Sequence, residues 1–206
     1  MPFRVVSLVG YSNAGMCTLL IRVTGAEGVA GDKRFATLDP TMRLVRLPSG
    51  LKAILSDTVG FISELPTMLV AAFRATLEEV LAAEVVLHVR DIAHPESEAQ
   101  AQDVRHVLDE LGIDEAARAE RLIEVWNKID KLLPEQLEAR RAESLRRQDV
   151  CLVSAKDGTG IDDLLRLIDA RLVAGHEIVE LDVPSADGAL LAWLHAHAEV
   201  LDRAQV

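Results

Sequence analysis

The chain has 206 residues, half of them apolar and 27% charged, a composition that supports a compact fold with a sizeable core and excludes disorder over most of its length. With 33 acidic against 22 basic side chains the net charge is −11, so general coating of DNA or RNA is excluded, and seven aromatic residues are too few for a single-strand stacking platform. Two cysteines, Cys17 and Cys151, cannot build a disulfide framework, the start is not shaped like a secretory signal, and there is no apolar run of about 18 residues to span a bilayer. A cytoplasmic protein with no membrane span is expected.

Taken in order, apolar runs of strand length alternate with segments of helical period, which predicts an α/β fold: a mostly parallel six-stranded sheet with helices on both faces. The first strand is expected over 4–9 and a helix over 15–24; strands over 42–47 and 52–56 are joined by Pro48-Ser49-Gly50 as one antiparallel hairpin. A helix over 66–82, a strand over 84–90, a helix over 95–112, a strand over 121–126, a helix over 134–148, a strand over 150–153 and a helix over 160–173 follow. Pro66, Pro95 and Pro134 each fall where a first helical turn tolerates a missing N–H. Beyond 174 the pattern changes to Ile178, Val179, Leu181 and Val183, then Pro184 and a final helix over 187–203. The expected organisation is a main domain over 1–174 and a strand-helix extension over 175–206, with no second full domain.

Four short segments fall at successive strand ends, along one edge of the expected sheet. Gly10, Tyr11, Ser12, Asn13, Ala14, Gly15, Met16, Cys17 and Thr18 join the first strand to the first helix, the context in which a P-loop cradles phosphates with backbone N–H groups. Met16 stands where that loop carries Lys, and Cys17 where a Ser or Thr hydroxyl would coordinate Mg²⁺. Asp57-Thr58-Val59-Gly60 follows the third strand, where an Asp can hold an Mg²⁺-bound water and a glycine N–H can face a terminal phosphate. Asn127-Lys128-Ile129-Asp130 offers a carboxylate able to accept both the ring N–H and the exocyclic amine of guanine, a donor pair adenine lacks. Ser154-Ala155-Lys156 would place a backbone N–H at the guanine carbonyl. Each segment alone reads equally as a turn or polar loop; their order and placement make the pattern.

With Phe35-Ala36-Thr37-Leu38-Asp39-Pro40-Thr41, Asp57-Thr58-Val59-Gly60-Phe61-Ile62, Leu65-Pro66 and the run from Phe73 to Glu79, the chain resembles the G domain of the HflX family, translation-associated GTPases that bind ribosomes. The resemblance implies a P-loop NTPase fold of the Ras-like type, GTP or GDP as ligand, Mg²⁺ as cofactor and the large ribosomal subunit as partner. It makes Phe35, Ala36, Thr37, Leu38 and Asp39 a switch over the nucleotide, and Thr37, the Cys17 position and Asp57 (through water) the Mg²⁺ ligands.

Against that pattern, Met16 removes charge-assisted hydrogen bonds to phosphate, each worth about 1.5–3 kcal/mol. Cys17 offers soft sulfur to a hard cation. GTP is expected to suffer more than GDP and hydrolysis to be impaired; Phe61 stands where many GTPases orient water with Gln, and no side chain is an evident general base. The family's amino-terminal domain has no counterpart in this sequence, so ribosome binding by these residues alone is not expected. The alternative is a nucleotide-independent or GDP-only interaction module. His195 and His197, two apart on a helix, point to different faces and suggest no metal site. His88 reads as a core or sheet-edge residue, helix 134–148 as a solvated face of mixed charge, and Cys17 as either an activated thiol at a helix N-terminus or a buried inert one.

Overall fold

The computed structural model describes residues 4–25, 41–57, 60, 79–174, 181–184 and 188–197. Six strands, β1 (Arg4–Gly10), β2 (Thr41–Arg46), β3 (Lys52–Asp57), β4 (Val85–Asp91), β5 (Leu122–Asn127) and β6 (Val150–Leu152), form one sheet in the order β2-β3-β1-β4-β5-β6. Every neighbouring pair is parallel except β2 with β3. The helices are α1 (Met16–Thr24), α2 (Ser97–Glu110), α3 (Glu115–Arg121), α4 (Pro134–Ser144), α5 (Ile161–Val173) and α6 (Gly188–His197). The predicted helix over 66–82 lies outside the described residues up to 78, and 79–82 are helical; the predicted 178–180 and 198–203 also lie outside.

Strand alternation divides the core between the two faces. Val6 and Leu8 of β1, Leu87 and Val89 of β4, and Ile123 and Val125 of β5 pack with Leu19, Leu20 and Val23 of α1 and Leu164, Ile168 and Leu172 of α5. Val9 and Val86 pack on the other face with Val104 and Leu108 of α2. The β2–β3 turn closes by Gly50 N donating to Leu47 O at 2.9 Å, and buried Asp169 on α5 fastens it by accepting from Ser49 N and Oγ at 2.7 and 2.6 Å.

Three elements depart from expectation. Pro95 lies in a turn ahead of α2, which begins at Ser97, because Ser97 N donates to His94 O and tightens the chain before the helix can start. The fourth helix stops at Ser144: Arg146 N and Arg147 N bond back to Glu143 O and Ser144 O, and the Arg147 guanidinium swings to Asp149 and Glu124. Helix α3 is absent from the sequence reading; it is seven residues long, buries none of them, and starts from Asp114, whose carboxylate caps Ala117 N at 2.9 Å.

The α2-covered face also holds buried charge. His88 and Arg90 of β4 lie opposite Glu124 and Trp126 of β5. Glu124, 3% exposed, accepts from Arg90 Nη1 at 2.8 Å, Trp126 Nε1 at 3.0 Å, Arg147 Nη2 at 3.1 Å and Arg105 Nη1 at 3.4 Å. Burial works to raise its pKa, but the indole bond and the charges of Arg90, His88 and Arg147 outweigh that and hold it at about 2. Helix α4 is thus more than a solvated face, since Arg140 stacks over the Trp126 ring at 5.5 Å.

His88 is buried as expected, and burial pushes its imidazole down to about 4. The unfolded chain protonates His88 near its ordinary 6.5 while the fold keeps it neutral, so stability falls as pH drops from 6.5 towards about 4. The depressed Glu124 carboxylate contributes stability above its ordinary 4.5 that is lost as pH falls from there towards about 2. Urea midpoints between pH 7 and pH 4 should therefore show a loss on the order of 3 kcal/mol in the wild type, much of it absent in His88→Gln; an unchanged slope in the variant would remove His88 as its source.

Candidate functional site

The carboxyl ends of β1, β3, β4, β5 and β6 lie on one edge of the sheet, and those of β1, β3, β5 and β6 deliver the four segments singled out from the sequence. The loop from Gly10 to Gly15 is shaped by its two glycines for different reasons. A Cβ at Gly10 would lie 2.4 Å from Val89 O, so only glycine lets β1 end against β4. Gly15 caps α1 with φ 93°, and a Cβ there would stand 2.6 Å from Asn127 Nδ2. Between them the loop is closed by Ala14 N donating to Tyr11 O at 2.9 Å, with Ser12 and Asn13 exposed and Tyr11 Oη bonded to Asp103 of α2.

Asn127 joins two of these loops. Its Nδ2 donates to Ala14 O at 2.8 Å and its Oδ1 accepts from Ala155 N at 3.0 Å, all within a side chain that is 1% exposed. Beside it Lys128 adopts φ 66°, a left-handed conformation disfavoured for a side chain of this size, and its Nζ reaches Asn13 O at 2.5 Å and Asp91 Oδ2 at 2.7 Å. Buried Ile129 anchors the short 3₁₀ turn Ile129–Lys131. Asp130, on that turn, accepts from Ser154 Oγ at 2.9 Å and has Lys156 Nζ at 4.0 Å from its second oxygen. Of the backbone N–H groups of Ser154-Ala155-Lys156, that of Ala155 donates to Asn127 Oδ1 and satisfies this buried amide oxygen.

Met16 is 5% exposed and turned into the apolar core beneath the loop, its Sδ 3.5 Å from where a Gly10 Cβ would stand. Cys17 is exposed in the first turn of α1 and Thr18 is half-buried. Partial burial and the nearby Asp57 carboxylate push the thiol up to about 12, against an activated thiol, while its exposed position departs from a buried inert one. Asp57, at the end of β3, is 3% exposed; its pKa is raised by burial, which the nearby Cys17 thiol only partly offsets. Gly60 approaches the loop so closely that a Cβ would meet Ser12 Cα at 2.5 Å. Thr58, Val59 and the switch-like Phe35, Ala36, Thr37, Leu38 and Asp39 lie outside the described residues, although Thr41, which follows them, pairs directly with Asp57.

Two residues of the site escaped the sequence reading. Asp91 fixes the Lys128 ammonium, and Arg22, at the last turn of α1, donates from Nε to Ala155 O at 3.1 Å and from Nη2 to Lys156 O. Asp91 stands at a strand end facing the same edge, a positional signal; Arg22 has the ordinary look of a basic residue at a helix C-terminus.

A profile of the family described as 50S ribosome-binding GTPase matches residues 5–128. The chain belongs to that family. It is 46% identical over 203 residues to GTPase HflX of Magnetococcus marinus, covering 98% of this chain and 45% of that protein, and 45% identical over 198 residues to GTPase HflX of Caldanaerobacter subterraneus subsp. tengcongensis, covering 96% and 44%. The resemblance to HflX therefore extends along nearly the whole chain, which spans less than half the length of these relatives. Among solved structures, a GTP-binding protein from the archaeon Sulfolobus solfataricus in complex with GDP superposes with a TM-score of 0.64 at 25% identity, over 83% of this chain and 53% of that one. Among the described residues no helix is long and apolar enough to cross a membrane.

The bridge through Asn127 is the structural centre of this edge. Asn127→Ala orphans the Ala14 carbonyl and the Ala155 amide together, and should cost about 2 kcal/mol or more in urea unfolding. Asn127→Asp keeps the acceptor for Ala155 N, and should lose less; equal losses would show that the two bonds are not what the side chain contributes.

Proposed function

We propose that this chain is a guanine-nucleotide-binding domain of HflX type, in which base selection and phosphate cradling persist while the hold on the γ-phosphate and hydrolysis are weakened. The observation that carries the proposal is the Asn127 bridge, which locks the 10–15 loop to the 154–156 segment and sets Asp130 beside Ser154. In this reading the Asp130 carboxylate selects guanine, with Ser154 and Lys156 fixing its direction. Ala155 and Asn127 hold the base-side wall, and Lys128 and Ile129 hold the turn in place. The amides from Tyr11 through Thr18 cradle the phosphates at the α1 N-terminus. Gly60, pressed against Ser12, and Asp57 stand on the side of the terminal phosphate, where the resemblance also assigns Thr37.

Divalent-metal chemistry in this fold neutralises developing phosphate charge. The donors present fit Mg²⁺ poorly, since Asp57 is retained but the neighbouring ligand position carries the Cys17 thiol. With Met16 facing the core and no ammonium on the loop, the γ-phosphate loses its main counter-charge, so GDP should compete well with GTP. Association with the large ribosomal subunit, which the family's description names, belongs to the same proposal. Relatives named as HflX are more than twice as long, and ribosome contact in them can draw on residues outside the matched region. The Met16 placement also favours the GDP-only form of the alternative reading, in which nucleotide binding survives without turnover.

Calorimetry distinguishes these readings. GDP should bind more tightly than ADP. Asp130→Asn replaces an acceptor by a donor, and should weaken GDP by tenfold or more while improving xanthosine diphosphate. Met16→Lys with Cys17→Ser should raise Mg²⁺-dependent GTP affinity by about tenfold or more. No response to the double change would place the defect elsewhere, and silence with GDP and GTP alike would overturn the proposal.

A further inference from the structure

Helix α1 begins at the 10–15 loop and carries Arg22 in its last turn, with Leu19, Leu20 and Val23 buried beside it to hold the helix in place. The Arg22 Nε donates to Ala155 O at 3.1 Å and its Nη2 to Lys156 O, so one planar fork grips two consecutive carbonyls. The neighbouring amides of that loop are already committed. Ser154 N donates to Thr159 O at 2.9 Å, Ala155 N to Asn127 Oδ1 at 3.0 Å, Asp157 N to Ser154 Oγ at 3.3 Å and Gly158 N to Ser154 O at 2.8 Å. Among the described residues, the Lys156 N–H is the one amide of the 154–158 stretch without an acceptor. It belongs to the same peptide unit as Ala155 O. That unit is planar and trans, so its C=O and N–H point in opposite directions, and a guanidinium fixed on the oxygen turns the N–H away from α1.

We propose that Arg22 is a positioning residue for base selection: by holding the Ala155 and Lys156 carbonyls it aims the Lys156 N–H as the donor that reads the 6-oxo group of guanine. This rests on the guanine-nucleotide reading and deepens it. Asp130 selects by accepting from the ring N–H and the 2-amino group, and a fixed donor at position 6 supplies the complementary half, because adenine carries an amine there and offers no acceptor. Arg22 acts through the peptide plane and not by contact with the base. Its loss therefore frees one backbone donor to rotate, while the Asn127 bridge and the Asp130–Ser154 bond stay in place.

The test is calorimetry on the whole chain with GDP, with 6-thioguanosine diphosphate, whose sulfur is a poor acceptor at position 6, and with inosine diphosphate, which lacks the 2-amino group read by Asp130. The wild type should bind the 6-thio compound about fivefold more weakly than GDP. Arg22→Met should weaken GDP by about fivefold and leave the 6-thio compound nearly unchanged, bringing that ratio close to one while the GDP-to-inosine ratio stays at its wild-type value. Arg22→Lys, able to hold one carbonyl, should restore part of the discrimination. The wild type alone gives a second reading: the Lys156 amide resonance should move on adding GDP and much less on adding the 6-thio compound. A 6-thio ratio unchanged by Arg22→Met, an equal loss for all three nucleotides, or a wild type indifferent to the 6-thio change overturns the inference and leaves the guanine reading standing. GDP binding no tighter than ADP in the wild type overturns both.

Discussion

One buried amide side chain ties together the edge on which the rest depends. Asn127 has no room to be anything else: it sits at the end of β5, almost fully enclosed, and both its hydrogen-bonding atoms are used to join backbone groups from different loops. It also keeps position 15 a glycine, because a side chain there would collide with the Asn127 amide, and the φ of 93° at Gly15 asks for the same residue. The course of the 154–156 segment depends on it too, and Arg22 braces that segment from the opposite side through two carbonyl contacts. Rigid backbone at three strand ends is what allows a binding surface to be made mainly of main-chain amides, and such a surface tolerates changes in the side chains around it.

That tolerance explains how Met16 and Cys17 can stand in the loop without disturbing the fold. A Met at the first turn of α1 gains burial where a Lys would have to keep its ammonium in water or on phosphate, and its sulfur fills space beneath Gly10. The exchange favours the packed state of the protein at the expense of the charge balance over the loop. Cys17, exposed in the first turn of α1, likewise changes the donor offered at that turn without entering the core. The fold is therefore indifferent to these two positions in a way that triphosphate chemistry is not.

Most of this was legible in the sequence because the signals were local. Strand periods, the Pro48-Ser49-Gly50 turn and the spacing of Gly10 and Gly15 each act within a few residues, whereas the strand order β2-β3-β1-β4-β5-β6 rests on long-range pairing and was not read from them. What stayed hidden involved partners far apart along the chain. Glu124 reads as one polar residue in an apolar strand, and its four donors come from β4, α2, its own strand and the segment after α4. Asn127 was legible as part of a motif, but its bonds to Ala14 and Ala155 were not. Helix α3 escaped for the opposite reason: it buries no side chain, so it leaves no apolar period to read.

The central claim is that main-chain cradling and one carboxylate suffice to hold and select a guanine nucleotide in this chain. Amide chemical shifts followed by NMR during titration with GDP and, separately, ADP address it most directly, since they report on each backbone N–H in turn. GDP should shift the amides of the Gly10–Thr18 loop together with those around Asp130 and Lys156, and ADP should leave the latter group unmoved. Equal shifts with both nucleotides, or GDP shifts that avoid the loop amides, would contradict it.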